Sequence, residues 1–337
     1  MRTCWVIDHP AHFQLFRQWF QPSDILIVTE RQELSVMLED GFSQPTLRVP
    51  RVVGSFLQKV TLGRRRQSAA KRFLKQHQVD RIISKGAPFE LRAGKGLVVE
   101  RWYLTDTEVN TAAHRLKSAT HILLPESWEG SLKSTHTYPG ILPQAYVPLN
   151  CKAWESARNQ VHQELMIDES QLVVFHRQLI GGGIHDEPEL IDYEQGIRKM
   201  NVHFVENKES AALADGSAWD LPVRASLFDG VLTGSTTLAA EAVVQGVPTL
   251  LISKASRGFL TYLCEQPHFF HWKEADLFDG RFAKMAAEWK LAMHAGRRDR
   301  SAVQSETREA LIALWGEPFA EDPSVVSGDV QASIQDL

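Results

Sequence analysis

Short runs of β-branched and aliphatic residues alternate with amphipathic stretches of helix length through most of the chain. This alternation is typical of parallel sheets whose strands are joined by crossover helices. In the first half, the hydrophobic pattern predicts strands near 3–7, 24–28, 79–84, 97–101 and 120–124. The helices predicted between them lie at 12–20, 31–40, 55–77 and 107–117.

A second series of the same kind begins after a predicted helix at 152–166. Its strands are predicted near 171–176, 201–205, 229–233, 248–252 and 268–271. Its helices are predicted at 188–199, 236–245, 257–266, 274–294 and 299–315, with a loop and an uncertain short helix at 215–226. Two α/β series of similar length predict an α/β protein with two Rossmann-like domains, 1–150 and 151–316, facing a cleft.

The composition is that of a globular protein, because 43% of the 337 residues are hydrophobic and 23% are charged. Residues 317–337 lack apolar periodicity and are predicted to be a disordered acidic tail. That tail contains five acids and no base, so the rest of the chain has a formal charge of +1. A nearly neutral body argues against a protein built to bind the nucleic-acid backbone.

The three cysteines, Cys4, Cys151 and Cys264, lie more than a hundred residues apart and form no C-x-x-C motif. This spacing favours a reducing compartment over a disulfide scaffold. The first apolar run soon meets Asp8 and His9, unlike a signal peptide, and no run approaches the length of a membrane span. We therefore expect a cytoplasmic protein.

A loop of small residues, Gly234 to Thr237, lies between a predicted strand and a predicted helix. Such a loop leaves backbone N–H groups and the positive end of the helix dipole available to a phosphate. Glu241, about one turn into the helix, is placed to bind ribose hydroxyls. In the alternative interpretation, Ser235 or Thr236 is an ordinary N-cap and Glu241 a solvated helix residue. The candidate donor-binding residues here are Gly234, Ser235, Thr236, Thr237 and Glu241.

A second loop with three consecutive glycines follows the strand predicted near 171–176. Glycines permit close approach of the backbone to a ligand, and Arg177 and His185 flank them. The alternative is a flexible glycine turn beside a surface arginine. The donor-binding candidates of this loop are Arg177, Gly181, Gly182, Gly183 and His185.

Asp8, His9 and His12 come directly after the first predicted strand. Ligands of open α/β sheets gather at the carboxyl ends of strands, and a histidine with a nearby carboxylate is suited to general-base catalysis. His9 and His12 form an H-x-x-H pair without a third ligand at metal spacing, so we predict no metal site. In the alternative, Asp8 caps the helix and the histidines bond locally.

Two further loops, 84–90 and 104–110, follow predicted strands of the same domain. Asp106 and Glu108 are candidates to bind an acceptor hydroxyl or to replace His12 as the base. Each is equally consistent with an ordinary acid at a helix N-terminus.

Residues 59–75 contain seven bases and no acid. A helical face of this kind is suited to an anionic membrane or a lipid phosphate, although most such runs are solvated faces. Gly63 is expected to interrupt a single amphipathic helix. The bases of this predicted membrane contact are Lys59, Arg64, Arg65, Arg66, Lys71, Arg72 and Lys75.

Several short motifs resemble, in order and spacing, the family labelled "domain of unknown function 354", within the superfamily of GT-B glycosyltransferases and nucleotide-sugar 2-epimerases. More distantly, the chain resembles the lipid-linked N-acetylglucosaminyltransferases of peptidoglycan synthesis. The resemblance spans roughly residues 3–315. The matching motifs are Asp8-His9-Pro10-Ala11-His12, Gly86-Ala87-Pro88, Asp106-Thr107-Glu108, Leu124-Pro125-Glu126, Tyr138-Pro139-Gly140 and the segment 234–242.

The resemblance implies a GT-B architecture whose second domain holds a nucleotide-sugar donor and whose first domain holds a glycan or lipid-linked acceptor. It implies that Ser235 to Thr237 face the donor diphosphate, that Glu241 holds the ribose, and that His12, oriented by Asp8 or Asp106, is the base. His9 and Glu108 are then acceptor-binding residues. No cofactor is implied beyond the nucleotide sugar as substrate.

This sequence departs from the family pattern at two places. Relatives often show a glycine pair where this chain has Thr233 to Thr237, and residues 85–96 lack the usual apolar helix pattern. Two alternatives to a metal-independent glycosyltransferase therefore stay open. They are a nucleotide-sugar 2-epimerase of the same fold and a non-catalytic protein that binds a sugar nucleotide or a polysaccharide.

Overall fold

The computed structural model describes residues 1–39, 42–52, 54–109, 117–147, 154–178, 191, 197, 200–208, 217–296 and 304–319. The chain divides into two compact units. The first comprises Met1–Gly140, Ala212–Trp219 and Glu309–Glu321, and the second comprises Ile141–Ala211, Asp220–Arg308 and Asp322–Leu337. The domain limits at 150 and 316 stay a prediction.

The first unit is built on a parallel sheet of seven strands in the order β3-β2-β1-β4-β5-β6-β7. The strands are β1 (Thr3–Ile7), β2 (Ile25–Thr29), β3 (Thr46–Val49), β4 (Arg81–Lys85), β5 (Glu100–Leu104), β6 (His121–Pro125) and β7 (His136–Tyr138). The helices that connect them are α1 (Pro10–Phe16), α2 (Gln32–Glu39), α3 (Phe56–His77) and α4 (Pro88–Gly94).

The second unit has a parallel sheet of five strands in the order β12-β11-β10-β8-β9. The strands are β8 (Val173–Gln178), β9 (His203–Lys208), β10 (Gly230–Thr233), β11 (Thr249–Ile252) and β12 (Phe269–Trp272). The remaining described helices are α5 (Trp154–Glu164), α6 (Ser217–Ala225), α7 (Thr236–Val244), α8 (Gly258–Cys264), α9 (Gly280–His294) and α10 (Gln304–Trp315).

The residues of β1 are all buried, and its side chains pack on both faces of the first sheet. Cys4 and Val6 join an aliphatic core that includes Leu74 of α3. Trp5, on the opposite face, packs against Phe16 and Trp315, with ring centroids 5.2 and 6.1 Å away. A strand with apolar residues on both sides is typical of a parallel sheet between two helical layers.

Each sheet has one point at which the strand order reverses. In the first sheet the chain runs outward from β1 to β3 and returns to place β4 on the other side of β1. In the second it runs from β8 to β9 and returns to place β10 on the other side of β8. Ligands of open α/β sheets bind beyond the carboxyl ends of the two strands that flank such a reversal.

The structure corrects several predicted elements. Strands β3 and β7 were not predicted, and residues 88–94 form a helix where an apolar helix pattern is missing. Gly63 does not interrupt α3, which runs for 22 residues from a capping box between Ser55 and Gln58. Residues 107–109 are not helical, and most of the predicted helix 107–117 lies outside the described residues.

At the C-terminal end, the backbone N–H of Phe319 donates to the carbonyl of Gln18, so residues 317–319 of the predicted tail lie against the first unit. The rest of that tail lies outside the described residues. No helix in the described ranges is both long and apolar enough to cross a membrane.

Candidate functional site

The reversal point of the second sheet brings together Arg177 and the loop after β10. Arg177 on β8 is the register partner of Thr233 on β10. The Thr233 hydroxyl donates to the Arg177 carbonyl over 3.1 Å and accepts from the Ser235 N–H over 2.9 Å. Thr233 therefore holds the loop that precedes α7 against the end of β8.

The N-terminus of α7 has two backbone donors without a partner among the described residues. Ser235 is the N-cap, and its hydroxyl accepts from the Leu238 N–H over 3.3 Å. The Ala239 N–H donates to the Ser235 carbonyl. Within the described residues, the N–H groups of Thr236 and Thr237 have no hydrogen-bond partner. Such unpaired first-turn donors are the groups that bind phosphate at helix N-termini.

Arg177 lies inside the unit, because only 7% of the residue is exposed. Its Nη1 donates to Oδ1 of Asn207 on the neighbouring strand β9. The interpretation as a surface arginine is therefore wrong. A guanidinium held at this reversal point places a permanent positive charge on the same edge of the sheet as the start of α7.

Glu241 is also buried, with 5% of the residue exposed, so it is not a solvated helix residue. Its Oε1 accepts a hydrogen bond of 2.7 Å from the Tyr146 hydroxyl. Tyr146 follows the 3₁₀ turn Leu142–Ala145 and lies in the same unit. No sequence motif indicated this tyrosine, because its partner is 95 positions away.

The other predicted donor-site residues, Gly181, Gly182, Gly183 and His185, lie outside the described residues. Gly234 is buried in the loop, and Ser235, Thr236 and Thr237 are half-buried. Arg177, Glu241 and the start of α7 therefore carry the description of the candidate donor site.

At the reversal point of the first sheet, Asp8 is bound by Arg66. Arg66 Nη2 donates to Asp8 Oδ1 over 2.7 Å, and Arg66 Nε donates to Glu90 Oε1 over 2.5 Å. The Thr29 hydroxyl donates to the same Asp8 oxygen and accepts from Arg66 Nη1 over 3.1 Å. Side-chain exposure falls from 29% at Asp8 to 3% at Arg66 and zero at Glu90.

This arrangement corrects the prediction that Arg66 belongs to a membrane-facing run of bases. Its guanidinium points into the first unit, where two carboxylates neutralise it. Burial raises the pKa of Glu90, and the charge of Arg66 opposes that shift. Buried charges are tolerated when they are paired and hydrogen-bonded in this way.

His9 and His12 lie beside each other, with ring centroids 5.8 Å apart. His9 is the N-cap of α1, and its Nδ1 accepts from the Ala11 N–H over 3.2 Å. The contact from Asp8 to His12 is made by the backbone, whose N–H donates to His12 Nδ1 over 3.4 Å. The Asp8 carboxylate, which was expected to orient this ring, binds Arg66 and Thr29 instead.

Burial lowers the pKa of His12 well below 6.5, and the nearby charges of Lys85, His9 and Arg31 lower it further. His12 is therefore a neutral imidazole at neutral pH. Since Nδ1 accepts from the Asp8 N–H, the ring proton lies on Nε2.

Asp106 and Glu108 follow β5, and neither orients His12 in the described contacts. Lys85 Nζ lies 2.9 Å from Asp106 Oδ1. Glu108 Oε1 accepts from the Glu129 N–H over 3.3 Å. Burial, followed by the charges of these two acids, raises the pKa of Tyr138, and its buried hydroxyl has no partner among the described residues.

Among the residues that the structure describes, no group of three or more His, Cys, Asp or Glu side chains is arranged to hold a metal ion. Metal-independent chemistry stays a prediction.

Comparisons with known proteins give similarity in fold without similarity in sequence. No protein-family model matches the chain, and no curated protein matches it. The resemblance to the family labelled domain of unknown function 354 therefore has no support from them.

Several solved structures are similar over nearly their full length. MurG of Acinetobacter baumannii is 11% identical with a TM-score of 0.52, over 93% of this chain and 99% of that chain. UDP-GlcNAc 2-epimerase of Neisseria meningitidis, bound to UDP-GlcNAc, is 11% identical with a TM-score of 0.55, over 93% and 100%. The glycosyltransferase of kitacinnamycin is 10% identical with a TM-score of 0.53, over 94% and 99%.

At such identities the likeness shows the fold alone. The predicted fold class is confirmed, because the chain has two parallel α/β sheets and its structural neighbours include glycosyltransferases and 2-epimerases of this class. The protein therefore has the GT-B fold.

Proposed function

We propose that the protein is a metal-independent glycosyltransferase that moves a sugar from a nucleotide-sugar donor to a hydroxyl of a glycan or lipid-linked acceptor. The observation that carries this proposal is the reversal point of the second sheet. There Arg177 lies near the carboxyl end of β8, one flanking strand. The N–H groups of Thr236 and Thr237, which have no partner among the described residues, begin the helix after the other strand, β10. A cation and free amides at one edge suit a diphosphate.

The donor residues have distinct roles in this proposal. Arg177 and the start of α7 bind the two phosphates and stabilise the charge that develops on the leaving diphosphate. Preorganised donors of this kind are usually the largest catalytic contribution. Glu241, held by Tyr146, binds the ribose hydroxyls. The glycines at 181–183 and His185 belong to the same proposed site.

The acceptor is proposed to bind the first unit, beyond the ends of β1 and β4. Asp8 Oδ1 is occupied by Arg66 and Thr29, whereas Oδ2 has no partner among the described residues. This favours Asp8 as the base and His12 as a hydrogen-bond donor through Nε2–H. The acceptor oxygen attacks the anomeric carbon, its proton passes to Asp8, and the bond to the diphosphate breaks. His9, Asp106 and Glu108 bind the rest of the acceptor.

A second candidate, a nucleotide-sugar 2-epimerase, is favoured by the polar groups at the carboxyl ends of β4, β5 and β7. Lys85, Asp106, Glu108 and Tyr138 supply acid and base groups beyond those that glycosyl transfer needs. The two reactions are separated by incubating the purified protein with a nucleotide sugar alone. An epimerase interconverts the sugar, whereas a transferase leaves it unchanged until an acceptor is added.

The donor site is tested by thermal unfolding of the protein with nucleoside diphosphates and their common sugars, with and without Mg²⁺. A ligand at about 100 times its Kd adds about 2.7 kcal/mol to stability, which is a shift of several degrees. One nucleotide that stabilises the protein with EDTA present is expected. Absence of any shift at millimolar ligand contradicts the donor site.

If nucleotide binds and neither transfer nor interconversion is detected, the non-catalytic alternative is favoured.

A further inference from the structure

The outward side of α3 carries a continuous row of exposed residues. They recur at every third or fourth position and fall within a sector of roughly 140° at about 100° per residue. The row extends along about 27 Å of the helix at about 1.5 Å per residue. Its members are Leu57, Val60, Thr61, Arg64, Arg65, Ser68, Lys71, Arg72 and Lys75.

The five bases of this row are not neutralised by any acid that the structure describes. None of them has an ion pair or a side-chain hydrogen bond with any described residue, and α3 contains no acid. Arg66, on the opposite side of the same helix, is paired with two carboxylates. The structure thus distinguishes the buried Arg66 from five bases that are exposed to solvent. These are Arg64, Arg65, Lys71, Arg72 and Lys75.

The N-terminal end of the row is apolar and exposed. Leu57 is 75% exposed and Val60 is 37% exposed, although both are large aliphatic residues. Ser55 and Gln58 cap the helix at this end, and the two residues lie in its first two turns. Exposed aliphatic residues next to a row of bases are typical of helices that lie in a membrane interface.

We propose that this row, the basic face of α3, docks on an anionic lipid membrane. The five bases contact lipid phosphates, and Leu57 and Val60 enter the boundary between headgroups and acyl chains. The contact differs from the sequence prediction, because Arg66 is internal and Lys59 is half-buried. The apolar residues at the N-terminal end of the row make no favourable contact with a nucleic-acid backbone. Their presence therefore favours lipid as the partner. The proposal is independent of the reaction that the protein catalyses.

The proposal is tested by co-sedimentation of the full chain with vesicles of phosphatidylcholine, with and without phosphatidylglycerol. Binding is expected only with the anionic lipid and is expected to weaken as salt is added, since ions screen surface charges. The triple variant Lys71→Gln, Arg72→Gln, Lys75→Gln is expected to bind on the order of a hundredfold more weakly, at about fivefold per base.

The matched control removes three exposed lysines of the first unit that lie outside α3, in the variant Lys95→Gln, Lys117→Gln, Lys133→Gln. It is expected to bind like the wild type, although it loses the same charge. Leu57→Ser is expected to lower the affinity that persists at high salt. Unchanged urea unfolding midpoints establish that these surface variants are folded.

Three results would overturn the proposal. They are equal binding to neutral and anionic vesicles, equal losses in the two triple variants, and displacement of the protein from vesicles by duplex DNA or RNA at matched phosphate concentration. The last result would assign the basic face of α3 to a nucleic acid.

Discussion

Arg66 Nη2 lies 2.7 Å from Asp8 Oδ1, so a base in the crossover before β4 holds the carboxylate that follows β1. The same guanidinium binds Glu90 in the helix that follows β4. One side chain therefore ties together the segments that leave both strands at the reversal point. The position of Asp8, the proposed base, depends on an ion pair whose arginine is almost fully buried.

The first prediction concerns stability. Arg66→Met leaves Glu90 fully buried without its cation and is expected to lower the free energy of unfolding by about 3–5 kcal/mol, as measured by urea unfolding. Arg64→Met, on the exposed side of α3, is the matched control and is expected to change it by less than about 0.5 kcal/mol. The double variant Arg66→Met, Glu90→Leu is expected to recover much of the loss. Equal midpoints for Arg66→Met and Arg64→Met would contradict the assigned role of Arg66.

The second prediction concerns the proposed base. Asp8→Asn is expected to lower kcat by about 10²–10⁴-fold, with the KM for the donor unchanged, because the general base is lost and the donor site is not. His12→Gln, which keeps an N–H donor, is expected to lose less. A loss of kcat in His12→Gln that is larger than the loss in Asp8→Asn would return the role to His12.

The third prediction concerns the diphosphate. Arg177→Ala and Glu241→Ala are each expected to raise the donor KM or lower turnover at least tenfold. Arg177 donates to the diphosphate, and loss of one preorganised donor typically costs about 3–4 kcal/mol in the barrier. Glu241 accepts from the ribose hydroxyls, and its loss removes those bonds. Steady-state kinetics at varied donor concentration measure this. Wild-type kinetics in both variants would remove the donor site from this edge of the sheet.

The fourth prediction concerns the support of Glu241. Tyr146→Phe removes the hydroxyl that donates to Glu241 and is expected to weaken nucleotide binding, as measured by titration calorimetry. Tyr262→Phe is the matched control, since its hydroxyl accepts from Gln144 Nε2 over 3.2 Å and does not contact Glu241 in the described hydrogen bonds. The control is expected to bind nucleotide like the wild type. Equal losses in both would mean that neither tyrosine acts through the donor site.

The fifth prediction concerns pH. Burial lowers the pKa of His271 from 6.5 to about 4 in the folded state. The unfolded chain therefore binds a proton between these values that the folded chain excludes, and stability falls as pH falls below 6.5. At about pH 5 this loss is about 2 kcal/mol. His271→Gln, compared with the wild type by urea unfolding at about pH 5 and pH 7.5, is expected to lose less stability on acidification.

The fold was largely predictable because buried parallel strands are continuous apolar runs, as in Ile25–Thr29 and Thr249–Ile252. Strand β3 was missed because three of its four residues are only partly buried or exposed. Its neighbours in the sheet, and not its own composition, determine its conformation. The start of α7 was identifiable because small residues before a helix are a local signal.

The position of Arg66 was not predictable, because its two carboxylate partners lie 58 and 24 positions away. From the sequence alone, Arg66 cannot be distinguished from the exposed bases beside it. The sequence pattern shows whether a helical residue faces the core or the solvent only when the boundaries and the rotation of that helix are known. The hydrogen bond from Tyr146 to Glu241 joins residues 95 positions apart and was unpredictable for the same reason.

Gly63 lies within α3 at a position where a better helix former does not fit. Alanine is the better helix former by about 1 kcal/mol, yet a Cβ at position 63 would lie 2.6 Å from Cε1 of Phe89. The Arg66 guanidinium lies over the same Phe89 ring, with Cζ 5.8 Å from the ring centroid. A methyl group at position 63 would displace the Phe89 ring, which packs between α3 and α4 at this point. Replacing Gly63 with alanine to strengthen the helix would therefore disturb the surroundings of Arg66, although Arg66 itself is unchanged.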